Sequence, residues 1–382
     1  MRVMIVMGTR PEAIKMAPIV KAIETHSGLE GFVCVTAQHR QMLDQVLSLF
    51  EIKADADLDL MRENQGLNAL TARIFDEFER LLESVKPDIV LTQGDTTTAF
   101  AASTACFHRK IEVGHVEAGL RTYDFERPFP EEMNRRFADL IATYLFAPTE
   151  QARLNLMQER LMSERIYVTG NTIVDALNMI VRKIKADAAL RLRLHAQFPF
   201  LHPDRKLILV TGHRRESFGA GFERICNALS KIGQQGTDLD IVYPVHLNPN
   251  VRGPVNRILG NHSRIHLIPP LDYLSFVYLL SRSAVVLTDS GGVQEEGVSL
   301  GKRVLVMRER TERPEGINAG LAELVGTDVE RITSRCLSLL HSQASLRADL
   351  VTSSNVYGDG RAAQRIVDAL AGIDVHQELV RA

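Results

Sequence analysis

Short apolar runs alternate with amphipathic stretches along the whole chain. The apolar runs are typical of buried strands, and the stretches between them repeat their apolar residues at helical spacing. Examples of the predicted helices are Glu12–Glu24, Asn68–Ser84 and Phe222–Gln234. Because parallel strands need long crossover connections, this alternation predicts an α/β protein with parallel sheets covered by helices on both faces.

The pattern restarts near Lys206 with a strand, a polar turn and a helix, and 382 residues exceed one ordinary core. We therefore predict two doubly wound, Rossmann-like domains, residues 1–170 and 171–360. Residues 361–382 are predicted to carry a C-terminal helix that packs back on one of the two domains, preferably the N-terminal one. The predicted strands are Val3–Met7, Phe32–Thr36, Asp88–Thr92, Glu112–His115, Leu145–Ala147, Ile166–Val168, Lys206–Thr211, Asp240–Pro244, Arg264–Leu267, Ala284–Thr288 and Arg303–Val306.

Composition excludes several classes of function. The formal charge is -2 and no block of Lys or Arg stands out, so no nucleic-acid partner is indicated. The four cysteines are far apart, which indicates neither a disulfide framework nor a zinc site. No apolar run is long enough for a membrane span, and the first one is too short for a signal sequence. A reducing, cytoplasmic setting is the expectation.

The segment Thr288–Glu296 follows a buried apolar run and opens a predicted helix. Its Ser290-Gly291-Gly292 turn would leave backbone N–H groups at a helix N-terminus, where the helix dipole also favours an anion. Glu296 would lie about 6 Å further along that helix, within reach of a ribose attached to a bound diphosphate. From this segment alone, a glycine-rich turn with helix-favouring acids is an equally good interpretation.

Two cations follow the first strand. Pro11 suits the first helical position, which would leave Arg10 at the N-cap and Lys15 in the second turn. Cations there oppose the helix dipole, and a bound phosphate would remove the conflict. A solvated basic turn is the alternative.

Carboxylates follow further strands of the first half. Asp95 is placed to cap the next helix, and Glu117 lies on a turn of small residues. Glu131 comes directly after Pro130, which is ordinary chemistry for a helix start, so spacing alone favours a structural role. Ligands of open α/β sheets bind beyond the carboxyl ends of strands, which makes these residues candidates for a site.

Polar turns also follow two strands of the second half. His213 and Arg214 come after Lys206–Thr211 and could hold a diphosphate, and His246 follows the next strand. The first domain would therefore present carboxylates and cations, and the second an anion cradle. A cleft between the domains would then carry a nucleotide-sugar, with the nucleotide on the second domain.

These segments together resemble the bacterial non-hydrolysing UDP-N-acetylglucosamine 2-epimerases. The match extends from residue 8 to about residue 326. The runs that carry it are GTRPEAIKMAP (8–18), TAQHRQMLDQVL (36–47), QGDTTTAFAAS (93–103), GHVEAGLRT (114–122), PEEMNRR (130–136), GNTIVDAL (170–177), HRRESFG (213–219), HLNPNVR (246–252), TDSGGVQEEGVSLGKRVLVMR (288–308) and TERPE (311–315).

The resemblance implies a glycosyltransferase-B-like fold with its active site in the interdomain cleft, and a homodimer. It implies an isomerase that interconverts UDP-GlcNAc and UDP-ManNAc for surface polysaccharides, by elimination of UDP to 2-acetamidoglucal and re-addition. No metal and no nicotinamide cofactor is implied. The matching catalytic positions are Asp95, Glu117, Glu131 and His213. The matching substrate-binding positions are Arg10, Lys15, Phe276, Ser290, Gly291, Gly292, Glu296 and Arg313.

The family also implies a second UDP-GlcNAc site that activates the enzyme, with matching positions at Gln38, Gln65, Arg214 and His246. Asn64 departs from an arginine that some members have there. Leu271 stands where a glutamine commonly contacts the uracil, and Phe129 stands where many members have tryptophan. The alternatives to non-hydrolysing epimerisation are a hydrolysing epimerase that releases ManNAc and UDP, a glycosyltransferase, and a catalytically inactive nucleotide-sugar sensor.

Overall fold

The computed structural model of this chain describes residues 1–36, 40–60, 62, 65–214, 217–341 and 355–373. Its contacts divide the chain into two compact units. Unit 1 comprises residues 1–176 and 357–382, and unit 2 comprises residues 177–356.

Unit 1 is built on a parallel sheet of seven strands. In chain order its strands are β1 (Arg2–Met7), β2 (Glu30–Val35), β3 (Ala56–Asp57), β4 (Ile89–Gln93), β5 (Glu112–Val116), β6 (Tyr144–Ala147) and β7 (Ile166–Val168). Its helices are α1 (Arg10–Glu24), α2 (Arg40–Leu49), α3 (Leu67–Val85), α4 (Thr97–His108), α5 (Glu131–Ile141) and α6 (Glu150–Gln158), together with the start of α7 (Thr172–Ala186) and the last described helix, α15 (Ala362–Leu370). The strand order is β3-β2-β1-β4-β5-β6-β7.

Unit 2 repeats the arrangement with six parallel strands in the order β10-β9-β8-β11-β12-β13. The strands are β8 (Lys206–Thr211), β9 (Leu239–Pro244), β10 (Ile265–Ile268), β11 (Ser283–Thr288), β12 (Arg303–Val306) and β13 (Ala322–Leu324). Its helices are the rest of α7, then α8 (Ala188–Ala196), α9 (Ala220–Gln235), α10 (Pro249–Leu259), α11 (Tyr273–Arg282), α12 (Gly291–Ser299), α13 (Pro314–Asn318) and α14 (Val329–His341).

Each predicted strand is present within a residue or two of its predicted ends, and the predicted doubly wound α/β class is confirmed. Two edge strands, β3 and β13, were not among the predicted strands. These strands span only Ala56–Asp57 and Ala322–Leu324, which is too short to form an apolar run. In both units the central strands are buried along most of their length, and large side chains such as Phe78 and Tyr243 fill the two cores.

The boundary between the units falls after Ala176 and not after residue 170, and the chain returns to unit 1 at Tyr357. The first turn of α7 belongs to unit 1 because Asp175 accepts hydrogen bonds from the N–H groups of Ala362 and Ala363, at 3.2 and 3.0 Å. Those groups begin α15, which packs against α1. None of the helices in the described ranges is both long and apolar enough to cross a membrane.

Candidate active site

The predicted site residues lie where ligands of such sheets bind. In each unit the strand order reverses beside the first strand, between β1 and β4 in unit 1 and between β8 and β11 in unit 2. Ligands of doubly wound sheets bind outside the carboxyl ends of the strands at this switch point. The turns after these four strands carry Arg10, Asp95, His213 and Ser290.

The start of α1 corrects one prediction. Thr9, and not Arg10, is the N-cap: its hydroxyl accepts from the Glu12 N–H, and the Glu12 carboxylate accepts from the N–H groups of Thr9 (2.7 Å) and Gly8 (3.2 Å). Arg10 is therefore the first helical residue and Pro11 the second. A reciprocal capping box needs a hydroxyl at the N-cap and an acid three residues later, which only Thr9 and Glu12 provide.

Lys15 and Glu117 meet at the carboxyl edge of the unit 1 sheet. The Lys15 Nζ atom lies 2.5 Å from Glu117 Oε1, and both side chains are buried. The Gln93 side-chain amide donates to the other oxygen of Glu117. Two donors on its two oxygens thus fix the position of the Glu117 side chain. The negative charge of Glu117 also compensates the unfavourable interaction between the Lys15 cation and the positive end of the α1 dipole.

Asp95 does not cap α4, contrary to the prediction. Thr96 caps that helix by accepting from the Ala99 N–H at 3.0 Å. The carboxylate of Asp95 is instead paired with Arg135, and its backbone carbonyl accepts from the Asn134 side chain at 2.9 Å. Asp95 is therefore held by α5 and not by the helix that follows it.

Glu131 is the first residue of α5 and is half-buried. It precedes Arg135 by four positions, so the two side chains lie on one face of the helix. Because Arg135 contacts Asp95, α5 brings Glu131 to the same edge of the sheet as Asp95. The contacts of Asp95 thus include Arg135, which the sequence did not indicate.

In unit 2, one buried carboxylate organises the turn after β8. Asp289 is fully buried, and its Oδ2 atom accepts from the backbone N–H groups of His213 (2.7 Å) and Arg214 (2.8 Å). The His213 ring faces the other oxygen, with Nδ1 3.6 Å from Oδ1. The Tyr243 hydroxyl donates to the carbonyl of Gly212, the residue before His213, at 2.7 Å.

The N-terminus of α12 lies at the position predicted for the anion cradle, which comprises Ser290, Gly291 and Gly292. Ser290 is its N-cap but makes no capping hydrogen bond through its side chain. Gly291 leaves room for the guanidinium of Arg313, since a Cβ at position 291 would lie 2.6 Å from the Arg313 Cζ atom. Helix dipole and guanidinium therefore favour an anion at the same point.

Buried acids orient Arg313. Its Nε atom donates to Glu295 at 2.6 Å and its Nη1 atom to Glu312 at 2.5 Å. Glu312 also accepts from Arg308 at 2.9 Å and lies 3.8 Å from Arg214. Burial alone would raise the pKa of Glu312, but the three arginines hold it well below its ordinary value. Glu312 thus stays ionised and holds the cations in place.

The remaining predicted residues lie as follows. Glu296 is buried in the second turn of α12, and Phe276 is buried in α11, the helix that leads into β11. His246 is exposed and its ring stacks on His213, with centroids 5.3 Å apart. Although the residue is exposed, the partial loss of solvent around its ring and the neighbouring His213 lower the pKa of His246. Gln65 precedes α3, whereas Gln38 and Asn64 lie outside the described residues.

The predicted site residues did not include Gln93, Arg135, Asp289 or Glu312. Asp289 stands inside the segment that drew attention to the cradle, but its partners are 75 and 76 residues away in the chain. No local spacing signals such contacts. Throughout the described ranges there is no group of three or more His, Cys, Asp and Glu side chains that could hold a metal ion, and all four cysteines are buried thiols.

The chain is similar to proteins of one family along nearly its whole length. The family model described as UDP-N-acetylglucosamine 2-epimerase matches residues 21–371. A UDP-N-acetylglucosamine 2-epimerase of Salmonella typhimurium is 54% identical over 370 residues, which cover 97% of this chain and 98% of that protein.

Solved structures of UDP-GlcNAc 2-epimerases are similar to this chain as well. The UDP-GlcNAc 2-epimerase of Neisseria meningitidis, solved with UDP-GlcNAc bound, has a TM-score of 0.93 at 46% identity and covers 97% of this chain and 100% of that one. A structure of S. aureus MnaA with UDP has a TM-score of 0.87 at 43% identity, covering 97% of this chain and 95% of that one. The expected glycosyltransferase-B-like fold, with two Rossmann-like units, is therefore confirmed. On these matches, the chain belongs to the UDP-N-acetylglucosamine 2-epimerase family.

Proposed function

We propose that this protein reversibly epimerises UDP-GlcNAc to UDP-ManNAc at C2 without releasing the sugar, for surface-polysaccharide synthesis. The observation that carries the proposal is the cluster of Asp95, Glu117 and Lys15 at the carboxyl edge of the unit 1 sheet. Carboxylates with paired cations are suited to move a proton on a sugar ring. The relatives from Salmonella and Neisseria bear the name of this activity.

The C2 proton is not adjacent to a carbonyl group, so an enolate is not available. In the proposed reaction a carboxylate removes the C2 proton, the C–H electrons form the C1–C2 double bond, and the C1–O bond breaks to release UDP. The intermediate is 2-acetamidoglucal. A proton then adds to the opposite face of C2 while a UDP oxygen attacks C1. Asp95, Glu117 and Glu131 are the proposed acid and base groups.

Unit 2 supplies the groups suited to the departing diphosphate. The N-terminus of α12, with Gly291 and Gly292, and the nearby Arg313 would stabilise the charge that develops on UDP. His213 is held at the adjacent strand end by Asp289. Glu296, one turn further along α12, is the proposed partner of the ribose hydroxyls.

The test is proton NMR of the purified protein with UDP-GlcNAc in D2O. We expect UDP-ManNAc to appear with deuterium at C2 and without accumulation of free UDP. Free ManNAc and UDP would instead identify a hydrolysing epimerase and overturn the proposal. No reaction would favour the transferase or the inactive sensor, which a screen of sugar acceptors and a UDP titration would then separate.

We also propose that UDP-GlcNAc activates the protein at a second site that includes Gln38, Gln65, Arg214 and His246. The stack of His246 on His213 supports this, because a ligand that moves one ring would move the other. Turnover of UDP-ManNAc alone should then show a lag that a trace of UDP-GlcNAc removes. A linear progress curve that UDP-GlcNAc does not change would contradict activation.

A homodimer is proposed on the exposed apolar face of α5. Met133, Phe137 and Leu140 lie on one side of that helix and are 39%, 42% and 60% exposed. An apolar stripe of this kind on the surface is typical of a protein–protein interface. Leu140→Glu should shift the protein from dimer to monomer in sedimentation velocity, while Leu192→Glu, on the exposed face of α8, should not. A wild-type monomer would refute the proposal.

A further inference from the structure

A buried carboxylate in α5 contacts the turns that carry two of the proposed catalytic groups. Asp139 is fully buried. Its Oδ1 atom lies 2.6 Å from His115 Nδ1, and its Oδ2 atom accepts from the Gly119 N–H at 3.2 Å and from Arg121 at 2.7 Å. Gly119 is two residues beyond Glu117, so Asp139 holds the end of the Glu117 turn.

His115 contacts the turn that carries Asp95. Its Nε2 atom lies 2.7 Å from the carbonyl oxygen of Gly94, the residue between Gln93 and Asp95. His115 is as fully buried as Asp139. The chain of contacts from Gly119 through Asp139 and His115 to Gly94 therefore joins the Glu117 turn to the Asp95 turn.

Both ring nitrogens of His115 face acceptors, a carboxylate oxygen and a carbonyl oxygen. A neutral imidazole carries one N–H group, so only the imidazolium donates to both. Burial alone would lower the pKa of His115, but Asp139 and the Gly94 carbonyl outweigh burial and raise it. Burial would likewise raise the pKa of Asp139, but His115 and Arg121 lower it.

The surrounding charges balance this pair. Arg121 contacts Asp139 and also donates to Glu159 through Nε (2.9 Å) and Nη2 (2.7 Å). Arg136 contacts Glu159 as well, at 3.3 Å. A charge buried without a partner would cost several kcal/mol, so the buried Asp139 needs the cations His115 and Arg121 beside it.

The Glu117 turn needs such support because its backbone is strained at Glu117. Gly94, Glu117 and Gly119 all have positive φ angles of +70°, +71° and +89°. Glu117 is not glycine, and a left-handed conformation costs such a residue about 1 kcal/mol or more. Strain of this kind persists only when the surrounding contacts fix the backbone.

We propose that Asp139 and His115 form a positioning pair that fixes Asp95 relative to Glu117, with His115 held as an imidazolium. Neither residue would contact the substrate. The pair acts through the Gly94 carbonyl and the Gly119 N–H and sets where the two carboxylates stand. The inference deepens the proposed epimerase function, and its kinetic test rests on that function.

The first test does not depend on activity. Nitrogen-15 NMR of protein labelled at histidine, at pH 7.5, should show one residue with both ring nitrogens protonated. That signal should disappear in His115→Asn and remain in His108→Asn, a change at an exposed histidine near the end of α4. A neutral tautomer of His115 would overturn the charge assignment.

The second test separates the contact of the His115 ring with Asp139 from its contact with the Gly94 carbonyl. Glutamine at position 115 places its amide near the Nε2 atom and reaches Gly94 alone, whereas asparagine places it near Nδ1 and reaches Asp139 alone. We expect kcat to fall at least about tenfold in both variants and in Asp139→Asn, the effect of losing one hydrogen bond to a charged group. The Kd for UDP should change less than threefold.

His108→Asn is the control, and circular dichroism with the Tm of each variant verifies folding. If the wild type epimerises and folded His115→Gln and His115→Asn keep its kcat, the positioning role is wrong. If the wild type has no epimerase activity, the proposed function fails, and the NMR result still decides the charge of His115. Equal losses in kcat and in UDP affinity would indicate general disruption and also overturn the positioning role.

Discussion

The carboxylate of Asp289 accepts hydrogen bonds from the backbone N–H groups of both His213 and Arg214, at 2.7 and 2.8 Å. This contact joins the turns after β8 and β11, the two strands that flank the switch point of unit 2. One buried acid thus places the His213 ring beside the cradle at Ser290.

Asp289→Asn should lower kcat about tenfold, because the amide can still accept from the two N–H groups but presents a donor where the His213 ring faces a carboxylate oxygen. Steady-state kinetics will measure this, and UDP affinity should change less than threefold. Asp272→Asn, at the N-cap of α11, is the control for the same change at an exposed acid of unit 2. An Asp289→Asn variant with wild-type kcat would remove Asp289 from the mechanism.

Asp95→Asn should abolish turnover and leave UDP binding nearly intact. Asp95 belongs to unit 1, whereas the cradle at Gly291 and Arg313 belongs to unit 2. Deuterium exchange at C2 will report the chemistry, and calorimetry the binding of UDP. Asp88→Asn changes an exposed acid at the opposite end of β4 and should keep full activity. Wild-type turnover in Asp95→Asn would exclude Asp95 as an acid or base.

Glu296→Ala should weaken UDP binding about 10- to 100-fold, the cost of losing hydrogen bonds to a charged group. Its effect on kcat at saturating substrate should be smaller. Calorimetric titration with UDP measures the first quantity. Glu330→Ala, on the exposed side of α14, serves as the control because its partner Lys231 lies on α9, away from the cradle. Unchanged affinity for UDP in Glu296→Ala would contradict the ribose contact.

Glu12 should make unit 1 less stable as the pH rises. Burial raises the pKa of Glu12 from 4.5 to about 7, although hydrogen bonds from Thr9, Thr96 and Gly8 act in the other direction. Between pH 4.5 and pH 7 the folded state therefore binds more protons at Glu12 than the unfolded state does. The contribution of Glu12 to the free energy of unfolding is fully present below pH 4.5 and is lost as the pH rises through 7. The loss from this group is about 3 kcal/mol.

Urea unfolding at pH 5 and pH 8 will test this. Glu12→Gln cannot ionise, so its stability relative to the wild type should improve between the two values. Glu24→Gln, at the exposed end of the same helix, should follow the wild type at both. If Glu12→Gln and the wild type lose stability equally, then Glu12 is not the group that titrates.

Much of the candidate site follows from local sequence. The strands were predictable because each central strand of a parallel sheet is an apolar run, and the residues after them were predictable as candidates because ligands bind at those strand ends. The cradle at Ser290 was predictable because a strand, two glycines and a helix are consecutive. Both wrong N-cap predictions were off by one residue. Arg10 was predicted where Thr9 caps α1, and Asp95 was predicted where Thr96 caps α4.

The sequence by itself determined the fold class, the order of the strands along the chain and the acids and cations available at their ends. Only the tertiary structure decided which of them meet: Lys15 with Glu117, 102 residues apart, and Asp95 with Arg135, 40 residues apart. The physical reason is the distance along the chain over which the two kinds of interaction act. Helix and strand patterns depend on neighbours in the chain, whereas the charge and position of a buried group depend on whatever packing brings against it.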